Sequence, residues 1–395
     1  MVGFPLLQRS ADLPPPDADA RAASAALTAL MRAQIGAAGG WISFARYMEL
    51  ALYAPGLGYY SGGATRFGAA GDFVTAPEIS DLFARTLARQ VAEVFAASRS
   101  QVLEFGAGSG ALAAMLLAEL ELLGAPCERY TIIELSGALR ARQQQKLEQT
   151  VPHLAHCVQW RDTLPDAIDG CILANEVLDA MPAHWVCWRE GAMTERGVGC
   201  GDAGLTVTER AAEGVLRDAM STLAAEHLLG DGYTSEINLA ATAWIGTLAP
   251  RMRHAMALLI DYGFPAHTYY HAQRRTGTLR AHHRHHALDD PLYLPGLCDL
   301  TTHVDFSAVA LAAQGAGLDV DGYTTQAQFL INCGITDLLA GSDPRDMRRH
   351  GLLTAQANTL LSPAEMGELF KVLAVSRGLP QDWCGFSVGN RLHTL

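Results

Sequence analysis

Two short stretches carry the residues best suited to chemistry. The first, QVLEFGAGSG at 101–110, sets Glu104 two positions ahead of Gly106, with Gly108 and Gly110 following, between an apolar run and an alanine- and leucine-rich helical pattern. Glycines at a strand-to-helix turn allow positive φ and leave no Cβ between backbone and a bound small molecule. The second, NEVLDAMP at 175–182, puts Asn175, Glu176 and Asp179 directly after the apolar run CILA. If the chain turns into a helix there, Glu176 and Asp179 at i and i+3 share one face. Two carboxylates on one face can grip a guanidinium by paired N–H···O bonds or act as general bases. Capping of that helix is the plainer reading of the same residues.

The glycine loop admits two cofactors. Gly106, Gly108 and Ala111 satisfy a relaxed dinucleotide fingerprint, with Glu134 about the right distance downstream to hold a ribose, as in an NAD-dependent oxidoreductase. Glu104, Gly106, Gly108 and Gly110 equally satisfy the acid-x-Gly-x-Gly-x-Gly pattern of S-adenosylmethionine enzymes. A carboxylate at 104 would repel a pyrophosphate, whereas a cofactor with a sulfonium and an amino group welcomes it. On that reading Glu134 accepts hydrogen bonds from the ribose hydroxyls and Asp162 from the adenine amino group. No hydride-site His or Tyr-Lys arrangement is evident.

Runs at 101–105, 130–134, 157–160, 171–174 and 255–260 read as strands, separated by helical patterns at 81–97, after the first strand and at 137–148. That alternation predicts a doubly wound parallel α/β sheet with polar residues collected at the strands' carboxyl ends. Antiparallel strands are expected within 185–209, then helices at 213–229 and 238–252. Near the C-terminus helices are expected at 306–314, 325–330 and 363–374. At the other end, helical spacing covers 21–36 and 41–52, with Ser43 as N-cap. The glycine- and tyrosine-rich segment 53–72 reads as an ordered lid, and Thr75 to Ser80 as the polar mouth of the helix at 81–97, Thr75 and Glu78 being equally suited to capping it. The expected organisation is a flexible leader at 1–20; helices and lid at 21–98; a core at 99–265 with an insertion at about 184–253; and a C-terminal elaboration at 266–395.

The 395-residue chain is 49% hydrophobic with a formal charge of −12, which disfavours a general nucleic-acid binder and suits cationic small molecules or protein segments. Eight scattered cysteines without a CxxC pair read as free thiols of a reducing compartment. There is no convincing signal or transit peptide and no apolar run of the roughly 20 residues that cross a bilayer, so a cytoplasmic, bacterial protein without membrane insertion is expected. His282, His283, His285 and His286 lack a metal-binding pattern, and no metal is expected there.

Several stretches together resemble one family: GDFVTAPEIS (71–80), VLEFGAGSGALA (102–113), NEVLDAMP, LLIDYG (258–263), DPLYLPGLCDLTTHVDF (290–306) and MGELFKVL (366–373) are similar to the MidA-like S-adenosylmethionine-dependent methyltransferases. The resemblance implies a Rossmann-like class I methyltransferase sheet with a lid, an insertion and a C-terminal α/β elaboration. It implies S-adenosyl-L-methionine as cofactor, held by Glu104, Gly106, Gly108 and Glu134, with Thr75, Pro77 and Glu78 near its methionine end and Glu176 and Asp179 by the acceptor. The family includes a mitochondrial complex I assembly factor that methylates protein arginine, so the resemblance implies a protein substrate with an exposed arginine and a link to respiratory complex assembly. A non-catalytic assembly chaperone that keeps the fold is the alternative outside enzymology.

Overall fold

The computed structural model describes residues 15–62, 75–202, 204–284, 286–343 and 345–395. The first fourteen residues of the expected leader, residues 63–72 of the expected lid, the GDFV of GDFVTAPEIS and His285 lie outside them. A central sheet contains β1 (Gln101–Phe105), β2 (Arg129–Ile133), β3 (Val158–Arg161), β4 (Ile168–Asn175), β5 (Met252–Phe264), β6 (Asp319–Thr325) and β7 (Phe370–Arg377). Their order is β6-β7-β5-β4-β1-β2-β3, and the two-residue strand Val304–Asp305 pairs with β5 off that path. β7 runs antiparallel to both neighbours, and the pairs linking β5, β4, β1, β2 and β3 are parallel.

The apolar runs CILA and ALLI, and VLEF interrupted only by Glu104, follow from this burial, because a parallel sheet is covered on both faces. Along β5, Met256, Leu258 and Ile260 pack with Leu87, Val91 and Leu116 on one face. Ala257 and Leu259 pack with Ile245, Leu248 and Phe306 on the other. Strand order reverses between β1 and β4, so the loops after these strands diverge and open a crevice at the carboxyl edge, where doubly wound sheets hold ligands. Both chemical stretches lie there: the glycine loop follows β1 and NEVLDAMP follows β4.

A second, antiparallel sheet is built from Trp41–Ser43, His184–Arg189, Ala192–Gly201, Gly204–Ala211 and Tyr233–Ile237. A third contains Arg280–His283, His286–Leu288 and Asp299–Thr301. Three expectations need correction. The first helix begins at Ala18, inside the stretch read as leader, because the Asp17 carboxylate accepts from Ala20 N at 2.8 Å and caps it. Residues 41–43 are a strand, and the helix Phe44–Tyr53 starts after Ser43, whose hydroxyl accepts from Arg46 N. The helix expected at 363–374 is instead a turn leading into β7. A fully buried strand has no alternating polar face, so its apolar run resembles a buried helix. No helix among the described residues is long and apolar enough to cross a membrane.

Candidate active site

Gly106, Gly108 and Gly110 all adopt left-handed backbone, with φ of 65°, 52° and 84°. A Cβ on Gly106 would lie 2.8 Å from Val177 Cγ2, and one on Gly110 3.2 Å from Gln143 Cα, so the loop is threaded between two neighbours. Gln143, on the helix Gly137–Thr150, is fully buried. Its amide donates to Gly108 O at 3.1 Å and Glu134 Oε2 at 3.2 Å, and accepts from Trp160 Nε1 at 2.8 Å. Ser136 N donates to Glu134 Oε1 at 2.8 Å. The acid ending β2 is thus tied to the glycine loop, with its carboxylate oriented. Glu104 is buried in β1 and accepts from Tyr130 Oη at 2.8 Å; burial raises its pKa to about 7 against that hydrogen bond.

NEVLDAMP does not become a helix. It forms a turn in which Glu176 takes a left-handed φ of 53°, a conformation that side chains adopt at a cost of about 1–3 kcal/mol. Capping a following helix therefore does not explain these residues. Asp261, fully buried at the end of β5, holds the turn from below: its Oδ2 accepts from the N–H groups of Val177, Leu178 and Asp179 at 3.2, 3.0 and 3.2 Å. Tyr262 Oη donates to Asp179 Oδ2 at 2.6 Å. Asn175 Nδ2 donates to Glu176 Oε1 at 3.2 Å. Asn175 Oδ1 and Asp179 Oδ1 are buried acceptors with no hydrogen-bond partner among the described residues.

Burial, then the neighbouring Asp179 charge, raises the Glu176 pKa to about 8. Burial raises Asp179 to about 6 against the Tyr262 hydrogen bond. Across the cavity Tyr60 Oη donates to Asp299 Oδ1 at 2.9 Å, and Tyr53 stacks on Tyr60 with ring centroids 5.5 Å apart while donating to Ala180 O.

These groups surround one cavity of about 390 Å³. Of the residues singled out in the sequence, Thr75, Pro77, Glu78, Glu104, Gly106, Gly108, Glu134, Asn175, Glu176 and Asp179 line it. Gly110 supports the loop from behind, and Asp162 is exposed beyond β3 and outside the lining. The Thr75 side chain makes no capping bond to the short helix Ala76–Ile79, and Glu78 instead accepts from Ser109 Oγ of the glycine loop. The six lining carboxylates, Glu78, Glu104, Glu134, Glu176, Asp179 and Asp299, are joined by no Lys, Arg or His among the described residues. Such a cavity favours cations and disfavours a pyrophosphate. Gln143, Asp261, Tyr262 and Asp299 had no assigned role in the sequence, where the polar DYG after an apolar strand is the one signal that pointed toward two of them, and the tyrosines of 53–60 were expected as part of a lid.

Residues 86–324 match a family model for S-adenosyl-L-methionine-dependent methyltransferases, Methyltransf_28. The chain is 32% identical to the mitochondrial protein arginine methyltransferase NDUFAF7 of Danio rerio, over 85% of this chain and 83% of that protein. It is 29% identical to the NDUFAF7 homolog of Drosophila melanogaster, over 96% and 91%. A crystal structure of a COG1565 superfamily member from Burkholderia thailandensis, bound to S-adenosyl-homocysteine, is 49% identical and superposes with a TM-score of 0.94 over 97% of this chain and 100% of that one.

Proposed function

The chain belongs to the Methyltransf_28 family of S-adenosyl-L-methionine-dependent methyltransferases, and on that premise we propose that it methylates the guanidinium of an arginine in a protein. The observation that carries this reading is the corner formed by Asn175, Glu176 and Asp179, with buried acceptors that have no partner among the described residues, in a cavity that those residues line with six carboxylates and no cation. That the NDUFAF7 relatives are protein arginine methyltransferases supports the same acceptor.

The residues fit the cofactor. Positive-φ glycines leave the floor of the cavity bare, Glu134 is pre-oriented for ribose hydroxyls, and Glu104 supplies negative charge without phosphate nearby. When bound, S-adenosyl-L-methionine supplies an electrophilic methyl on a sulfonium, and the carbon–sulfur bond breaks as the nitrogen–carbon bond forms. Asp179, fixed by Tyr262, grips one edge of the guanidinium and Asn175 Oδ1 accepts a further N–H. Glu176 takes the proton that the attacked nitrogen sheds, for which a carboxyl with a raised pKa is a competent base. Orientation and electrostatic placement supply most of the rate.

Two outcomes follow within this scheme. Replacing Gln143 by Leu removes the hydrogen bonds to Gly108 and Glu134, and S-adenosyl-homocysteine should bind about tenfold more weakly by calorimetry, at about 1.4 kcal/mol per decade. An unchanged affinity would separate Gln143 from cofactor binding. Binding of a cationic acceptor should also expel a proton at pH 7, because the guanidinium favours ionised Glu176, whose pKa otherwise stands near 8. Calorimetry of an arginine peptide in buffers of different ionisation enthalpy reads this directly: up to about one proton released at pH 7, and none at pH 10, where the carboxyl is already ionised. The identity of the acceptor is tested with labelled cofactor and arginine- or lysine-centred peptides. Label recovered as methylarginine supports the reading, and label recovered only on lysine or a carboxyl group overturns it.

A further inference from the structure

The carboxyl edge holds a second cavity, of about 420 Å³, that the methyl-transfer scheme does not use. Its walls include Phe264, Pro265 and Leu369, and its polar groups include Tyr323, Glu365 and Lys371. Tyr323 is 1% exposed, yet its Oη has no hydrogen-bond partner among the described residues; Glu365 Oε2 is likewise buried and unpartnered. Buried polar atoms are nearly always paired, so two orphans lining one cavity mark it as shaped for a ligand. Lys371 Nζ donates to the carbonyls of Glu368 and Leu369, at 3.1 Å for the latter, leaving a third N–H to give. Arg391 is paired with Glu368 at 2.8 Å and bounds the same space.

The two cavities are neighbours. Tyr262 and Phe264 lie two positions apart on β5, hence on one face and about 6–7 Å apart. Tyr262 lines the first cavity and Phe264 the second. His303 fills the space between them, with its ring 5.1 Å from Tyr262 and 5.2 Å from Phe264. That separation is the reach of about two residues of extended polypeptide.

We propose that the second cavity binds the protein substrate's own chain, taking a peptide or side-chain amide a few residues from the methylated position. The amide oxygen, with two lone pairs, accepts from both Tyr323 and Lys371, and its N–H donates to Glu365. An amide satisfies all three groups at once, whereas a simple anion leaves Glu365 unpartnered and a simple cation leaves Lys371 unpartnered. Only the identification of the occupant as substrate rests on the proposed methyl transfer to protein.

The test uses the whole protein with S-adenosyl-homocysteine present, and N-acetyl-glutamine methylamide as the probe in ligand-detected NMR titrations. Replacing Tyr323 by Phe deletes a hydroxyl that no group among the described residues uses, so the variant should melt at the same or a higher temperature. The probe should nevertheless bind it about fivefold more weakly, and Glu365→Gln should weaken it similarly. With arginine nonapeptides Tyr323→Phe should raise KM at unchanged kcat, while N-acetyl-arginine methylamide, too short to reach, should be transferred to as by wild type. Equal probe binding by wild type and Tyr323→Phe, or no binding, overturns the proposal, and binding of free glutamine alone overturns the polypeptide as occupant. The binding arm requires no methyl transfer. A probe that binds here in a protein that never methylates arginine sinks the proposed acceptor and leaves this site standing.

Discussion

Glu176→Gln should lower kcat for arginine peptides by about 10²- to 10⁴-fold, the range for losing a positioned general base, while affinity for S-adenosyl-homocysteine stays near wild type. Glutamine matches the size of the acid and keeps a partner for Asn175 Nδ2, which donates at 3.2 Å, so the left-handed turn at 176 should persist. What it removes is the site for the proton. The pH dependence gives a second readout. The folded-state pKa of Glu176 is raised to about 8, so its protonated form favours folding: the contribution is fully present below the unfolded value near 4.5 and is lost as pH rises through 8. Wild-type melting temperature should therefore fall between pH 6 and 9, and the Gln variant, which mimics the protonated acid, should show a shallower fall. A variant that retains more than a tenth of wild-type kcat removes Glu176 from the proton's path. One that loses cofactor affinity instead assigns Glu176 to the cofactor.

The second large effect is expected at a residue that need not touch either substrate. Asp261→Ala strips three backbone donors, those of half-buried Val177 and of buried Leu178 and Asp179, of their common acceptor. Each buried donor left unpaired costs about 1–3 kcal/mol, so a loss of several kcal/mol in urea unfolding is expected, together with near-complete loss of transfer. Water entering the vacated space recovers part of the stability and none of the geometry, because the positions of Glu176 and Asp179 depend on that turn. The glycine loop hangs from β1 and Gln143, so S-adenosyl-homocysteine should still bind the folded fraction. Asp261→Asn keeps one oxygen for the turn and should fall between the two in stability. Full activity in Asp261→Ala would show that the turn is held by other contacts, such as Glu176 N to Ile260 O at 2.9 Å.

Residues whose signal is local could be read from the chain, and residues defined by distant partners could not. Gly106, Gly108 and Gly110 announce themselves because positive φ at a strand-to-helix turn leaves few alternatives to glycine. Glu176 and Asp179 stood out by following an apolar strand, and both line the cavity, although the expected helix was the wrong means of bringing them there. Asp261 showed the same local signal, a polar residue after an apolar strand, but its task was not legible, since its three donors precede it by 82 to 84 residues. Gln143 sits in RARQQQKLEQT, whose polarity resembles a solvent-facing helix, yet its side chain is fully buried against the glycine loop. Asp162, read as the third of three successive acids, shows the converse: position at a strand end did not bring it into the cavity lining. β7 was hidden because its apolar stretch VLAV, like any short one, does not by itself distinguish a buried strand from a helix.

The end of β5 has a consequence for how the protein tolerates change. Asp261 braces the acidic turn, Tyr262 holds Asp179, and Phe264 walls the second cavity. Between the last two, Gly263 passes so close to Val304 that a Cβ there would lie 2.1 Å from the Val304 carbonyl oxygen. Point substitutions can impair these tasks one at a time. A single residue inserted or deleted just upstream would exchange the two faces of the strand, turn the brace away from the turn and drive a side chain into the Val304 backbone. A change of length at this strand end should therefore be worse than any single substitution, because it disrupts all of these tasks together, and libraries that vary it need a fixed number of residues between Ile260 and Pro265.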